Sequence, residues 1–224
     1  MRDLVILGGS GIGMIAASVA EALGTYRVIG FLNDIFSSGT MIGKYKNFPV
    51  LGPTEKYHDY IKNGCSLFIG YVGMKKEEDV FKKISSINIP DDQWASLIDP
   101  TAIIPSGYCK IGKGCLFAPL SQLSPDTTIS DNCILLPNSF VGHDSFLDRF
   151  AHVATNAVVG ANVHVGKAVH VGSNSTIREK VTIGDFSLIG AGAVVLKDVS
   201  PSSIVVGNPA KLLSTSVEID PRRY

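Results

Sequence analysis

The sequence predicts an α/β plus β-solenoid chain: a small Rossmann-like parallel α/β domain followed by a parallel β-helix of hexapeptide repeats. Three observations predict it. Aliphatic residues recur every six positions through the second half. Apolar strand-like runs alternate with helical stretches over residues 1–97. A glycine-rich turn, GGSGIG, joins the first such run to the first helical stretch. The 224 residues, 45% hydrophobic and 18% charged, are enough to bury a core.

The first domain reads in chain order. DLVILGG is an apolar strand, and SGIGMIAASVAEALG turns into a helix closed by Gly24. YRVIGFLND is a second strand ending at Asn33 and Asp34. TEKYHDYIKNG is helical, SLFIGYVG is a strand, and MKKEEDVFKKISSI is an amphipathic helix. Strands that alternate with helices argue a parallel sheet covered by helices. Such a domain is also expected to cap one end of the solenoid, whose edge would otherwise pair with other chains.

WASLIDP leads into the repeat. Cut from Ile129, the chain reads ISDNCI, LLPNSF, VGHDSF, LDRFAH, VATNAV, VGANVH, VGKAVH and onward. The frame runs as 15 hexads over residues 111–200, and a one-residue slip near Lys110 joins it to Ile104 and Ile98. The first position is aliphatic or aromatic, the second often glycine, and the fifth mostly small. Six fits no helical period. Each hexad is therefore a short strand plus a corner. Positions five and one point inward and position six outward, because strand side chains alternate. Three hexads close a triangular coil about 4.8 Å from the next. The expected organisation is residues 1–97, 98–200, and a C-terminal cap and tail over 201–224.

Charge and cysteine usage narrow the function classes. Twenty basic residues balance 20 acidic ones, which argues against nucleic acid or an anionic membrane as partner. No apolar run is long enough for a membrane span, and the N-terminus reads as a strand and not a signal peptide. Cys65, Cys109, Cys115 and Cys133 form no CxxC pair. They read as reduced thiols of a cytoplasmic protein.

The glycine turn raises a binding question. Gly8, Gly9, Gly11 and Gly13 let backbone amides approach a phosphate at a helix N-terminus. Their spacing is G-x-x-G-x-G and departs from the dinucleotide fingerprint. A tight turn with no ligand is the plain alternative, and for Asp34 a solvated loop. Two histidines stand out in the repeat. His143 takes position three, at a corner where side chains leave the coil. His152 takes position six and points outward from a face, as do His164 and His170. Neither His143 nor His152 belongs to the core, so an ordinary surface histidine is the plain alternative for each. His170 lies one coil beyond His152. Stacked outward histidines hint at a metal, but no third ligand accompanies them and no metal is expected. His58 sits on a polar helix and reads as solvated.

The hexads, with VGHD, FAHV and VVGNPAKLL, resemble those of the hexapeptide-repeat acyltransferases. The preceding GGSGIG…FLND domain narrows the resemblance to a bacterial sugar acetyltransferase family. Its members are nucleotide-amino-sugar N-acetyltransferases of the bacillosamine and perosamine type, with sialic acid O-acetyltransferases as relatives. The resemblance spans roughly residues 3–213. It implies a left-handed β-helix and a homotrimer with active sites between subunits. It also implies acetyl-CoA in the cleft between adjacent β-helices and a nucleotide-linked sugar at the first domain. By position, His143 matches the catalytic base and Asp144 the acidic residue after it. His152 matches a histidine near the acetyl group. Ala161 stands where the family usually has a glycine facing the pantetheine. Gly190, Ala191, Asn208, Pro209 and Lys211 match segments along CoA. Gly8, Ser10, Gly11, Ile12, Gly13, Asn33, Asp34 and Gly73 match the sugar-nucleotide loops. Two residues depart from the pattern: Ile12 stands where histidine is typical, and Asn33 replaces a frequent aspartate.

The chemistry so implied is simple. Acetyl-CoA is already activated, so an enzyme must position an acceptor and remove its proton. An imidazole, titrating near pH 6.5 when unperturbed, suits that task. The expected activity is acetyl transfer to the amino group of a nucleotide-linked sugar in surface-glycan biosynthesis. The alternatives are transfer to a sugar hydroxyl, a non-catalytic scaffold, and a nucleotide-binding module.

Overall fold

The computed structural model describes residues 1–9, 11–71 and 79–215. In the first domain β1 (Arg2–Leu7) leads into α1 (Ile12–Leu23) and β2 (Tyr26–Leu32). Then come β3 (Met41–Ile42), β4 (Phe48–Gly52), α2 (Tyr57–Lys62), β5 (Ser66–Ile69) and α3 (Asp79–Ser85). The sheet order is β3-β4-β2-β1-β5, parallel except for the β3–β4 pair. Leu4 to Leu7 have no exposure, as expected of a parallel strand covered on both faces. Gly24 ends α1 at φ 65°, its amide bonded to Glu21 O, a left-handed cap that glycine adopts without strain. The β3–β4 pair was not anticipated, and β4 carries Pro49, a residue that central strands avoid. It is tolerated because β4 has only the two-residue β3 beyond it at the sheet edge.

The solenoid begins at β6 (Leu97–Ile98). From β7 (Lys110–Ile111) to β21 (Val194–Val195) two-residue strands recur every six residues. β22 (Ile204–Val206) and the antiparallel β23 (Lys211–Ser214) close the end. Three sheets form the prism. A wide face of eight strands runs from β6 to β23, and a second face carries β7, β10, β13, β16 and β19. A third carries β9, β12, β15, β18 and β21. Partners lie 18 residues apart, as in His152↔His170. Ile98↔Phe117 and Ile103↔Gln122 lie 19 apart. The extra residue is the anticipated slip.

Position-one residues Leu135, Val141, Leu147, Val153, Val159, Val165 and Val171 have no exposure. Each contributes up to about 1.5–3 kcal/mol by leaving water. Position four carries a rule that the hexad reading lacked. From Leu120 to Phe186 its residues take φ between 52° and 63°, the left-handed region that costs most residues about 1–2 kcal/mol. Asparagine and aspartate tolerate it, which accounts for Asn132, Asn138, Asp144, Asn156, Asn162 and Asn174. Phe150, Ala168 and Phe186 take the same strained position, and they pack against Leu7, Tyr57 and Ile69 of the first domain.

That contact corrects one expectation. The first domain does not simply cap the solenoid end; it lies along its flank. Helix α1 contacts β6, and the core of the first domain is continuous with Leu97, Leu116 and Ile134 on the outer side of the wide face. Those residues hold outward positions, so outward here does not mean solvent.

Candidate active site

His143 sits on the edge between the third and second faces, between β12 (Phe140–Val141) and β13 (Phe146–Leu147). Its side chain is 58% exposed and its Nδ1 lies 2.6 Å from Asp144 Oδ2. An ionised carboxylate only accepts, so Nδ1 carries the proton and donates. In the neutral ring Nε2 is then left with a lone pair. Asp144 has φ 58°, so its presence also suits the corner. Ala161 lies one coil further on the same edge. The Asn162 amide donates to His143 O, and a Cβ on Gly142 would stand 2.7 Å from Ala161 N. The backbone of the two coils is thus closely stacked where His143 and Ala161 meet.

His152 differs from its expectation as a surface residue. It points away from the coil interior, yet it is only 4% exposed. It is the next rung after Leu116 and Ile134 in one column of the wide face, and those two residues are buried in the core of the first domain. Its Nδ1 lies 2.8 Å from Nδ1 of His170, and its Nε2 is buried with no hydrogen-bond partner among the described residues. Burial, with His170 adding to it, holds the His152 imidazolium well below the usual histidine range. Burial pushes His170 down as well. Among the described residues no group of three or more His, Cys, Asp or Glu is placed to hold a metal.

Within one chain His143 and His152 are not brought together. The edge bearing His143 lies opposite the wide face bearing His152. Gly190, Ala191, Asn208, Pro209 and Lys211 gather elsewhere again, at the C-terminal end of the edge between wide and third faces. There Gly207 O accepts from the Val194 amide, and Ala210 donates to Val194 O. A cleft of about 550 Å³ opens beside them, lined by Lys197, Val205, Pro209 and Lys211 among others.

In the first domain, strand order reverses between β1 and β5, the switch point at which open α/β sheets place ligands. Gly8, at φ 128°, ends β1 there, and the Gly70 amide donates to Leu7 O. Helix α1 begins at Gly11 with no side-chain cap. The side chains around this loop divide between binding and packing. Ile12 packs its side chain against the apolar core. Gly13 is a packing glycine: a Cβ would stand 3.0 Å from Phe31. Asn33 is buried and Oδ1 accepts from the Ile35 and Phe36 amides at 2.7 and 3.0 Å, so this residue builds the turn. Asp34 accepts from the Thr54 amide at 2.7 Å and from Lys83 at 3.1 Å. Burial raises its pKa, but these donors outweigh burial and hold the carboxyl below its ordinary value. Ser10 and Gly73 lie outside the described residues. Sequence reasoning missed Lys83, which nothing in its helix distinguishes, and Gly70, which ends the SLFIG run. It also gave no role to His170, although the frame places it one coil beyond His152.

The comparisons with known proteins agree with this layout. Residues 3–84 match the PglD N-terminal domain family. Residues 162–197 match the bacterial transferase hexapeptide family of six repeats. The solved acetyltransferase domain of PglB from Neisseria gonorrhoeae FA1090, in complex with acetyl coenzyme A, is 28% identical with a TM-score of 0.81. The match covers 95% of this chain and 99% of that one. A mutant of perosamine N-acetyltransferase from Caulobacter crescentus, with CoA and GDP-perosamine, shares the fold at 24% identity and TM-score 0.81, covering 96% and 98%. No curated protein sequence matches the chain significantly. The fold is thus the left-handed parallel β-helix behind a Rossmann-like domain.

Proposed function

We propose that this chain, an acyltransferase built as the bacterial hexapeptide-repeat sugar acetyltransferases are, moves acetyl from acetyl-CoA to the amine of a nucleotide-linked amino sugar. One observation carries the reading. The His143–Asp144 pair stands on an open edge, while His152 and the expected CoA residues occupy other sides of the same prism. A working site then needs the His143 edge of one copy set into the seam beside the wide face of a second, as in a homotrimer. The PglB domain with its acetyl coenzyme A supports the donor, and the perosamine N-acetyltransferase holding CoA and GDP-perosamine, which shares this fold, supports a nucleotide-linked sugar as substrate.

The geometry of His143 and Asp144 supports the following step. Asp144 holds Nδ1–H of His143, so Nε2 faces outward as the base. It takes a proton from the acceptor nitrogen as that nitrogen bonds to the thioester carbonyl carbon. The carbon–sulfur bond breaks and CoA leaves as the thiol. The Ala161 amide, one coil along, and His152 of the neighbouring copy are the groups placed to hold the acyl oxygen. The nucleotide rests at the switch point between β1 and β5, with Gly8, Gly11 and the amides that open α1.

The test is acetyl transfer with UDP-, GDP- and dTDP-linked amino sugars, each beside its hydroxyl analogue. Turnover confined to an amine acceptor supports the reading. Preference for the hydroxyl analogue replaces it with O-acetylation, and an absence of CoA binding leaves a scaffold.

A further inference from the structure

The reacting edge uses His143 and Asp144; nothing so far gives His170 a task. It lies one coil beyond His152 on the wide face, in register with it, and the rings meet at 4.5 Å between centroids, tilted by 66°. Their Nδ1 atoms are 2.8 Å apart. Two nitrogens at that distance hold one proton between them: two would clash and none would leave two lone pairs facing. The owner of the proton fixes the far side of the His152 ring. If His152 owns it, the buried Nε2 of His152 is a lone pair. If His170 owns it, that Nε2 carries a proton. Among the described residues nothing else bonds Nε2, and an unmet buried polar atom costs about 1–3 kcal/mol. A ligand atom is the natural partner.

We infer that His170 is a positioning residue. It donates Nδ1–H to Nδ1 of His152 and so fixes His152 as an Nε2–H donor aimed at the acyl oxygen. This rests on the acetyl-transfer reading, which supplies the choice of tautomer: the thioester end of acetyl-CoA has an acceptor oxygen but no N–H or O–H. Only a protonated Nε2 can bond it. Ile134 and Leu188 flank the two histidines, so both rings are held between aliphatic neighbours.

Two measurements test this. In the wild-type protein, ¹⁵N–¹H NMR of the histidine side chains at pH 7.5 should show His152 protonated at Nε2 and bare at Nδ1. A His152 protonated at Nδ1 overturns the inference, whether or not a sugar substrate has been found. The second is kinetic. His170→Leu fits the aliphatic column and should lower kcat by about 10- to 100-fold, with the KM for acetyl-CoA little changed. His170→Asn keeps an N–H donor near the Nδ1 position and should recover most of that loss. Equal kcat in His170→Leu and wild type, or equal loss in Leu and Asn variants with a normal tautomer, sinks it. If no acceptor turns over while the tautomer is as expected, the fault lies with the proposed activity.

Discussion

Replacing Asp144 with asparagine separates the two reasons for an acid at that corner. The residue sits at φ 58°, and it holds Nδ1 of His143 at 2.6 Å. Asparagine tolerates the backbone and still offers an oxygen to Nδ1–H. It removes only the charge that steadies the imidazolium formed during transfer. A unit charge pair at about 4 Å is worth about 1 kcal/mol in water and about 4 kcal/mol near a protein surface. Both side chains are more than half exposed, so the lower part of that range applies. About 1–2 kcal/mol gives a loss of roughly 5- to 30-fold in kcat, far below the roughly 10⁴ of a buried triad. Alanine removes the acceptor too and adds about 1–2 kcal/mol of left-handed strain. Steady-state kinetics with saturating acetyl-CoA, beside thermal melts, separates the cases. Asparagine should melt like wild type and turn over slowly, while alanine should lose on both. An asparagine variant with wild-type kcat would show that Asp144 is a corner residue only.

Mixing subunits tests the divided site. His143→Ala and His152→Leu chains, each inactive alone, should regain up to about a quarter of wild-type activity when assembled together, since random mixing leaves that share of seams intact. No recovery, with mixed trimers verified by mass, means that both histidines act from one chain. Acid should destabilise the fold through the histidine pair. His152 and His170 are held neutral in the fold, whereas the unfolded chain protonates them near pH 6.5. The unfolded state therefore binds more protons below that pH. Stability is present in full above about pH 6.5 and falls as pH drops below it, by at most about 1.4 kcal/mol per pH unit for each group. Melting curves from pH 7.5 to 5.5 should fall less steeply for the double leucine variant, and an unchanged slope refutes the assignment. Phe150→Asn relieves a left-handed phenylalanine but empties its contact with the first domain. A net loss of about 2–4 kcal/mol is expected in denaturant melts, from about 3–5 lost and about 1 regained, and a gain would mean that this seam contributes nothing.

The hexad frame made the solenoid legible because it is a local rule: aliphatic, glycine and small residues recur with the geometry that they serve. It put Ile98 and Ile104 one residue out of phase, and the 19-residue pairings show the slip. It placed His143 on an edge for the same reason, since position three is always a corner. The failures are non-local. Outward from a coil is readable from the frame; outward into water is not, because it depends on what lies against that face. His152 follows Leu97, Leu116 and Ile134 in the outward column, and those three join the core of the first domain, so its 4% exposure could not be read from the frame.

The same contrast explains Asn33 and Phe150. An asparagine at a strand end looks like a ligand contact, yet two amides two and three residues on claim its oxygen, and no spacing rule distinguishes the uses. A phenylalanine at a left-handed corner looks like a breach of the repeat. It becomes sensible once burial against Leu7 and Ile69 offsets the strain. Where such a departure is buried it marks a contact of the solenoid, whereas Leu120 and Lys180 depart from the asparagine and aspartate rule while exposed. Phe150, Ala168 and Phe186 fall on successive coils of one edge, and that line traces the domain contact. On the edge of His143, Asp126, Asp144 and Asn162 keep the rule and the exposed Lys180 departs from it. His143 and Asp144 stand more than half exposed there, as a surface that meets another copy and its substrates requires.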